Sequence, residues 1–349
     1  MRLLERSLTV DVLKVVAAQL IVWHHFSAYG PMADTMTLMW PQLMDWLYRY
    51  ARLAVQVFLV VGGYLAAQSV MHKSIQHPLI SIIKRYLRLV PFYVLALTLI
   101  SVAVAVSRDS IHASWLPNEP TVWQFLAHGF LVHDLLGFEA LSSGAWYVAI
   151  DFQLYALLMV LCHALHTDTN KRLSITVALL CVASMWQFNR VDELDMWAIY
   201  FFAAYGLGVL AAWAKRSPFE ARVFGVTALL TVGALWFEYR TRLSLALLTA
   251  VWLVIKPKGM VHWTPMKRVV HRLSNSAYVL FLTHFGVIVL FSAMWNESHL
   301  DSPNTAFALT GFAWLCCVGI GLFLHEKVEV PIHHWAARKT KPLFARLTR

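Results

Sequence analysis

The sequence predicts an all-α integral membrane protein of about ten transmembrane helices, with both termini cytoplasmic. Three observations carry this. Of 349 residues, 59% are hydrophobic and 14% are charged, against about 25% charged in soluble globular domains. The apolar residues gather in runs close to the roughly 20 that a helix needs to cross a bilayer. The basic residues alternate between successive connections as the cytoplasmic face of a membrane protein requires. So much apolar surface exceeds what a chain of this size hides inside itself. Disorder, a collagen-like fibre and a nucleic-acid-binding globule are excluded, and the formal charge of +10 reads as topology rather than a nucleic-acid footprint.

In chain order the expected spans are 8–29, 51–70, 87–107, 146–166, 173–189, 195–214, 222–238, 242–256, 273–295 and 304–325. The first is long, carries Asp11 and Lys14 and ends without a small-x-small site, so it reads as a retained span rather than a cleaved signal. The third opens behind the basic run Lys84-Arg85-Tyr86-Leu87-Arg88, and the fourth opens on Trp146. The eighth is the shortest. The stretch 121–137 is apolar too, but His128, Gly129, His133 and Asp134 interrupt it; it suits an interfacial or re-entrant helix better than a span. No repeat, linker or appended soluble domain is visible. A single membrane domain fills 1–349, with about 8–325 embedded and 326–349 a cytoplasmic tail.

With the N-terminus inside, the inner segments hold 22 of the 29 Lys and Arg residues. They comprise Arg2 and Arg6; Lys73, Lys84, Arg85 and Arg88; Lys171 and Arg172; Lys215, Arg216 and Arg222; Lys256, Lys258, Lys267, Arg268 and Arg272; and the basic residues from Lys327 to Arg349. The outer segments hold Arg49, Arg52, Arg108, Arg190, Arg240 and Arg242. Trp40, Trp46, Trp146, Trp197, Trp236, Trp263 and Trp295 sit near span ends, as interfacial belts do; stacking on a sugar ring is the alternative for those facing outward. Cys162, Cys181, Cys316 and Cys317 lie in apolar runs without metal or redox spacing and read as buried free thiols.

Ionisable groups inside a span are costly and face protein or a wet cavity. Asp11, Lys14 and His25 share one face of the first helix, while His24 points about 100° away. Asp11 and Lys14 stand one turn apart and can neutralise each other. Arg85 and Arg88, also one turn apart, read either as a grip for phosphates or as a positive-inside flank. Asp151 and Tyr155 share a face of the fourth span; Asp151 reads as a paired carboxylate or as one at the outer water interface. His284 lies deep in the ninth span and reads as a hydrogen-bonded buried imidazole or a site residue. Glu326 to Pro331 alone reads as a helix-ending, solvated run. No zinc spacing, Walker loop, dinucleotide fingerprint or nucleophile elbow occurs.

Taken together these residues resemble the acyltransferase-3 family of integral membrane proteins, over nearly the whole chain. Asp11, Lys14 and His25 match its first-span pattern of an aspartate, a basic residue and a histidine. Arg85-x-x-Arg88 with Pro91 resembles its paired-arginine motif. Trp146 to Asp151 followed by Tyr155 resembles its Trp-Ser-Leu-x-x-Glu motif, with Tyr147 for serine and Asp151 for glutamate. Tyr278 to His284 resembles its late Tyr-x-x-Tyr-Leu-x-His motif, with Phe281 for the second tyrosine. Glu329-x-Pro331 closes the series.

The resemblance implies a helical fold around a polar cavity and transfer of an acyl group, acetyl or succinyl, from cytoplasmic acyl-coenzyme A. The acceptor it implies is a hydroxyl of an envelope glycan: lipopolysaccharide, exopolysaccharide, glucan or peptidoglycan. The expected site comprises His25, Asp11, Lys14 and Asp151 as catalytic residues, and Arg85 and Arg88 for the donor. Trp146, Tyr155, Tyr278 and His284 are expected in the substrate cavity, and Glu329 and Pro331 as a structural motif. No permanently bound cofactor or metal is expected. The partners implied are acyl-coenzyme A, the glycan, the bilayer of a bacterial inner membrane, and a second copy or envelope-biosynthesis proteins. A secondary transporter or polysaccharide exporter, with Asp11, Lys14 and His25 as a proton relay, is the competing reading. It calls for an inverted repeat of broken spans, and none is evident.

Overall fold

The computed structural model describes residues 7–70, 77–165, 171–255 and 264–347. Arg2, Arg6, Lys73, Lys256, Lys258, Trp263 and Arg349, and the ends of the spans expected to close at 166 and 256, lie outside the described residues. No strand occurs among those described. In chain order the helices are α1 Leu8–Ala28, α2 Pro31–Met39, α3 Pro41–Tyr50, α4 Ala54–Val70, α5 Pro78–Ser107, α6 Val122–Gly129 and α7 Ala145–Ala164. There follow α8 Lys171–Trp186, α9 Ala198–Trp213, α10 Pro218–Phe237, α11 Thr241–Ile255, α12 Thr264–Ser298, α13 Pro303–Leu324 and α14 Val330–Leu347.

Seven helical stretches among the described residues are long and apolar enough to cross a membrane. They are Leu8–Ala28, Pro41–Val70, Pro78–Ser107, Ala145–Ala164, Pro218–Phe237, Pro265–Ser298 and Pro303–Pro342. The other three expected spans fall on α8, α9 and α11, of 16, 16 and 15 residues. At about 1.5 Å per residue these are shorter than the roughly 30 Å hydrocarbon layer. The eight-residue α6 is shorter still and does not span. Thr121 caps it, accepting from the Gln124 amide while the Gln124 side chain reaches back, a reciprocal capping box.

Two buried helices organise the bundle. α9 is apolar around nearly its whole circumference and buried along almost all its length, the pattern of a helix surrounded by others. It packs against α4 through paired glycines. A Cβ at Gly63 would strike the Tyr205 carbonyl, and one at Gly208 would strike the Val60 carbonyl; small residues of this kind let helix backbones approach in a membrane. α12 is the second pillar, enclosed by α1, α5 and α13. The polar site lies along α12, between it and helices α1, α4, α5 and α7.

Two elements depart from the expected outline. α5 begins at Pro78 rather than 87, because Lys84, Arg85 and Arg88 turn toward a cavity instead of marking a helix end. Residues expected as a tail beyond the last span form a π-helical turn, His325–Glu329, running into α14, which packs back on α5. Pro331 is the second residue of this helix. Its missing N–H and bulky ring disfavour a regular α-turn before it, and a widened turn at such a point often marks a functional position.

Candidate functional site

Five residues of α12 carry the site's contacts. His271, Ser274, Tyr278, Phe281 and His284 follow one another at three- and four-residue steps, so they share a face and extend over about 20 Å. At its lower end, Asp11 accepts from the Ser274 hydroxyl at 2.6 Å, and its second oxygen meets His271 Nδ1 at 2.6 Å. Lys14 Nζ donates to the Ser274 carbonyl at 2.7 Å. The Tyr278 hydroxyl donates to the Leu89 carbonyl at 3.0 Å. At the upper end, His25 Nδ1 and His284 Nε2 stand 2.5 Å apart.

The histidine pair has a defined polarity. His284 Nδ1 lies 3.1 Å from the Leu280 carbonyl, and a carbonyl only accepts, so Nδ1 carries the hydrogen. In a neutral ring Nε2 of His284 is then the acceptor, and the hydrogen between the rings belongs to His25 Nδ1. Nε2 of His25 keeps its lone pair and makes no hydrogen bond among the described residues. Both imidazoles are buried.

A cavity of about 1030 Å³ opens below this pair. Its walls carry Lys14, Lys84, Arg85 and Arg88, against Asp151 and Glu329. Arg85 Nη2 donates to Asp151 Oδ2 at 2.5 Å, and the guanidinium carbon lies 5.3 Å from the Tyr155 ring centroid. Arg88 is exposed to the cavity. Its carbonyl accepts from His333 Nε2 at 2.6 Å, just before Pro91, whose missing N–H loosens the helix there. Glu329 is buried. It pairs with His325 Nδ1 at 2.5 Å and stands 3.8 Å from His333 Nε2.

With this geometry in view, comparison with known proteins is decisive for the family. The model of the acyltransferase-3 family, described as an acyltransferase domain, matches residues 8–324. The chain belongs to the acyltransferase-3 family. Among curated proteins it is similar to "Regulator of hypoxia-inducible factor 1" of Caenorhabditis elegans, 25% identical over 200 residues. That match covers 52% of this chain and 40% of the relative, so the chain spans about two fifths of it. No solved structure matches. With its apolar helices, this acyltransferase-3 chain is a multi-pass membrane protein.

The structure divides the expected site residues. Lys14, Arg85, Arg88, Asp151, Tyr155, Tyr278 and Glu329 line the cavity. His25 and His284 form a separate pair above it, and neither lines the cavity. Asp11 is tied to α12. Trp146, expected in the cavity, stacks instead on Phe201 at 5.5 Å. Asp151 is not a solvated interfacial carboxylate but the ion partner of Arg85. Glu329, which reads as solvated in sequence, is 6% exposed and faces the cavity. Sequence reasoning does not single out His271, Ser274 or His325, and reads His333 only as half of an adjacent pair with His334 that does not suit a metal. The signal available for the first two was their shared helix face with Tyr278 and His284.

Proposed function

We propose that this chain is a membrane O-acyltransferase that moves an acyl group from cytoplasmic acyl-coenzyme A to a hydroxyl of a cell-envelope glycan. In this reading it has ten spans and cytoplasmic termini, in a bacterial inner membrane. The observation that carries the proposal is the free Nε2 of His25, oriented through His284 and held above a cavity walled by arginine and lysine. The cationic walls suit coenzyme phosphates, which pair well with guanidinium groups. An imidazole with one nitrogen fixed as donor and the other open is a prepared general base.

The step balances as follows. Nε2 of His25 takes the proton of the acceptor hydroxyl. The oxygen attacks the thioester carbonyl, the new C–O bond forms, and the C–S bond breaks. Coenzyme A leaves as a thiolate and takes up the proton that His25 holds. Asp151 positions Arg85, and His284 positions His25. The basic connections 171–172 and 215–222 and the ten apolar runs support the span count.

The test is His25→Ala in a protein that inserts and accumulates normally. Mass spectrometry of envelope glycans should show loss of an acyl modification, matching a deletion strain. Unchanged acylation would remove His25 from the chemistry. Steady transport of glycan without consumption of acyl-coenzyme A would replace the enzyme reading with the transporter.

A further inference from the structure

Three mutually packed aromatic rings stand on the cavity wall, and one of them, Phe281, also meets the histidine pair. Phe58 of α4, Tyr147 of α7 and Phe281 of α12 all line the cavity. Their ring centroids lie 6.0 Å apart for Phe58 and Tyr147, 6.2 Å for Phe58 and Phe281, and 5.3 Å for Tyr147 and Phe281. Both contacts of Phe281 are edge-to-face. These are contact distances for aromatic pairs, so no open bore runs between them. Phe281 also stands 6.2 Å from the His284 ring. A Cβ placed at Gly144 would come within 2.9 Å of the Phe281 ring, so that ring is seated on the backbone that opens α7 and has no room to swing toward it. Phe58 and Tyr147 are partly buried.

We propose that Phe58, Tyr147 and Phe281 form an aromatic collar that selects the acyl group: short uncharged chains reach His25, and long or carboxylate-bearing chains do not. The inference rests on the acyl-transfer reading above. A coenzyme arm held by the basic walls stays in the cavity, so only its acyl end has to enter the collar. A longer chain forces three packed rings apart, and overpacking of a close-packed site is penalised. A terminal carboxylate loses its water among apolar rings, while Arg85, Arg88 and Lys84 hold it on the cavity side.

The experiment uses purified full-length protein in lipid nanodiscs with a total envelope-glycan extract as acceptor and acetyl-, butyryl-, hexanoyl- or succinyl-coenzyme A as donor, reading release of coenzyme A. Wild type is compared with Phe58→Leu and Phe58→Ala. Wild type should favour acetyl over hexanoyl and over succinyl by about tenfold or more in kcat/KM, the scale of a modest overpacking penalty. The variants should shrink the acetyl-to-hexanoyl ratio by about tenfold, alanine more than leucine. A merely structural role for the rings lowers all donors together and leaves the ratio unmoved. Calorimetric affinities decide the matter if both variants lose turnover. The collar then requires hexanoyl-coenzyme A to bind more tightly relative to free coenzyme A than it does in wild type, and an unchanged relative affinity overturns it. Equal use of all four donors by wild type overturns the collar and leaves acyl transfer standing. Failure of wild type to consume any of them overturns both.

Discussion

His25 and His284 lie end to end, their ring planes within 4° of parallel, centroids 4.8 Å apart and facing nitrogens at 2.5 Å. With the nitrogens so much closer than the centroids, the rings meet through an in-plane hydrogen bond rather than face on face. His284 therefore positions His25 and fixes which of its nitrogens keeps a lone pair, because the Leu280 carbonyl takes the hydrogen on His284 Nδ1.

His284→Ala should lower kcat by about 10²–10⁴, the range general-base catalysis contributes, with KM for the donor unchanged. His284→Gln offers an amide oxygen to His25 Nδ1 and should recover part of the loss. A rise in donor KM with kcat preserved would place His284 in binding instead. The two constants measured separately on purified protein decide.

Most of the apolar runs were legible because lipid imposes a length on them: seven of the ten expected spans fall on helices long and apolar enough to cross a membrane, and the other three fall on shorter helices. The lower half of α5 was not legible, since hydropathy reads Lys84, Arg85 and Arg88 as a helix end when they in fact turn into a cavity. Glu329 was expected only as part of a motif, and its burial was not legible for the same reason: a carboxylate between two histidines one turn either side reads as solvated until α14 folds back on α5. The pairing of His25 with His284 joins residues 259 apart in sequence, and no periodicity within one helix discloses a partner on another.

The Arg85–Asp151 pair is largely withdrawn from water, with side chains 26% and 10% exposed. Removing one partner of such a pair typically costs about 3–5 kcal/mol, because a charge stays behind uncompensated. Asp151→Ala should accordingly lower the thermal midpoint sharply. The double variant Arg85→Met, Asp151→Leu should regain most of that stability, because apolar replacement of a buried pair is often neutral, yet still bind donor poorly. Thermal unfolding and donor titration on the three proteins separate the two effects.

Arg88 lines the same cavity as Arg85 but is exposed, whereas Arg85 is partly buried and paired with Asp151. Arg88→Ala should weaken acyl-coenzyme A binding by about 10–100-fold, the value of a charge-assisted hydrogen bond or two, with little change in thermal midpoint. The salt dependence of binding should also flatten. Unchanged donor affinity would leave this arginine as a topology signal.

The C-terminal end of α6 and the loop after it carry a pH-sensitive pair. His128 and His133 stack at 3.9 Å and are fully buried. His128 is satisfied by the Gln124 carbonyl and the Leu141 amide, but neither nitrogen of His133 makes a hydrogen bond; the Asp134 carboxylate stands 3.5 Å from its Nε2. Burial pushes both imidazoles down from the ordinary 6.5 to about 4, and for His128 the neighbouring His133 adds to it. Between those values the unfolded chain binds protons that the folded chain refuses, so stability rises with pH there. Stability is complete above about 6.5 and is lost progressively as pH falls toward about 4. His133→Phe keeps a ring against His128, removes one titrating group and relieves two unsatisfied nitrogens. It should raise the thermal midpoint at pH 5 more than at pH 8. An equal shift at both pH values would mean that His133 acts on stability through packing alone.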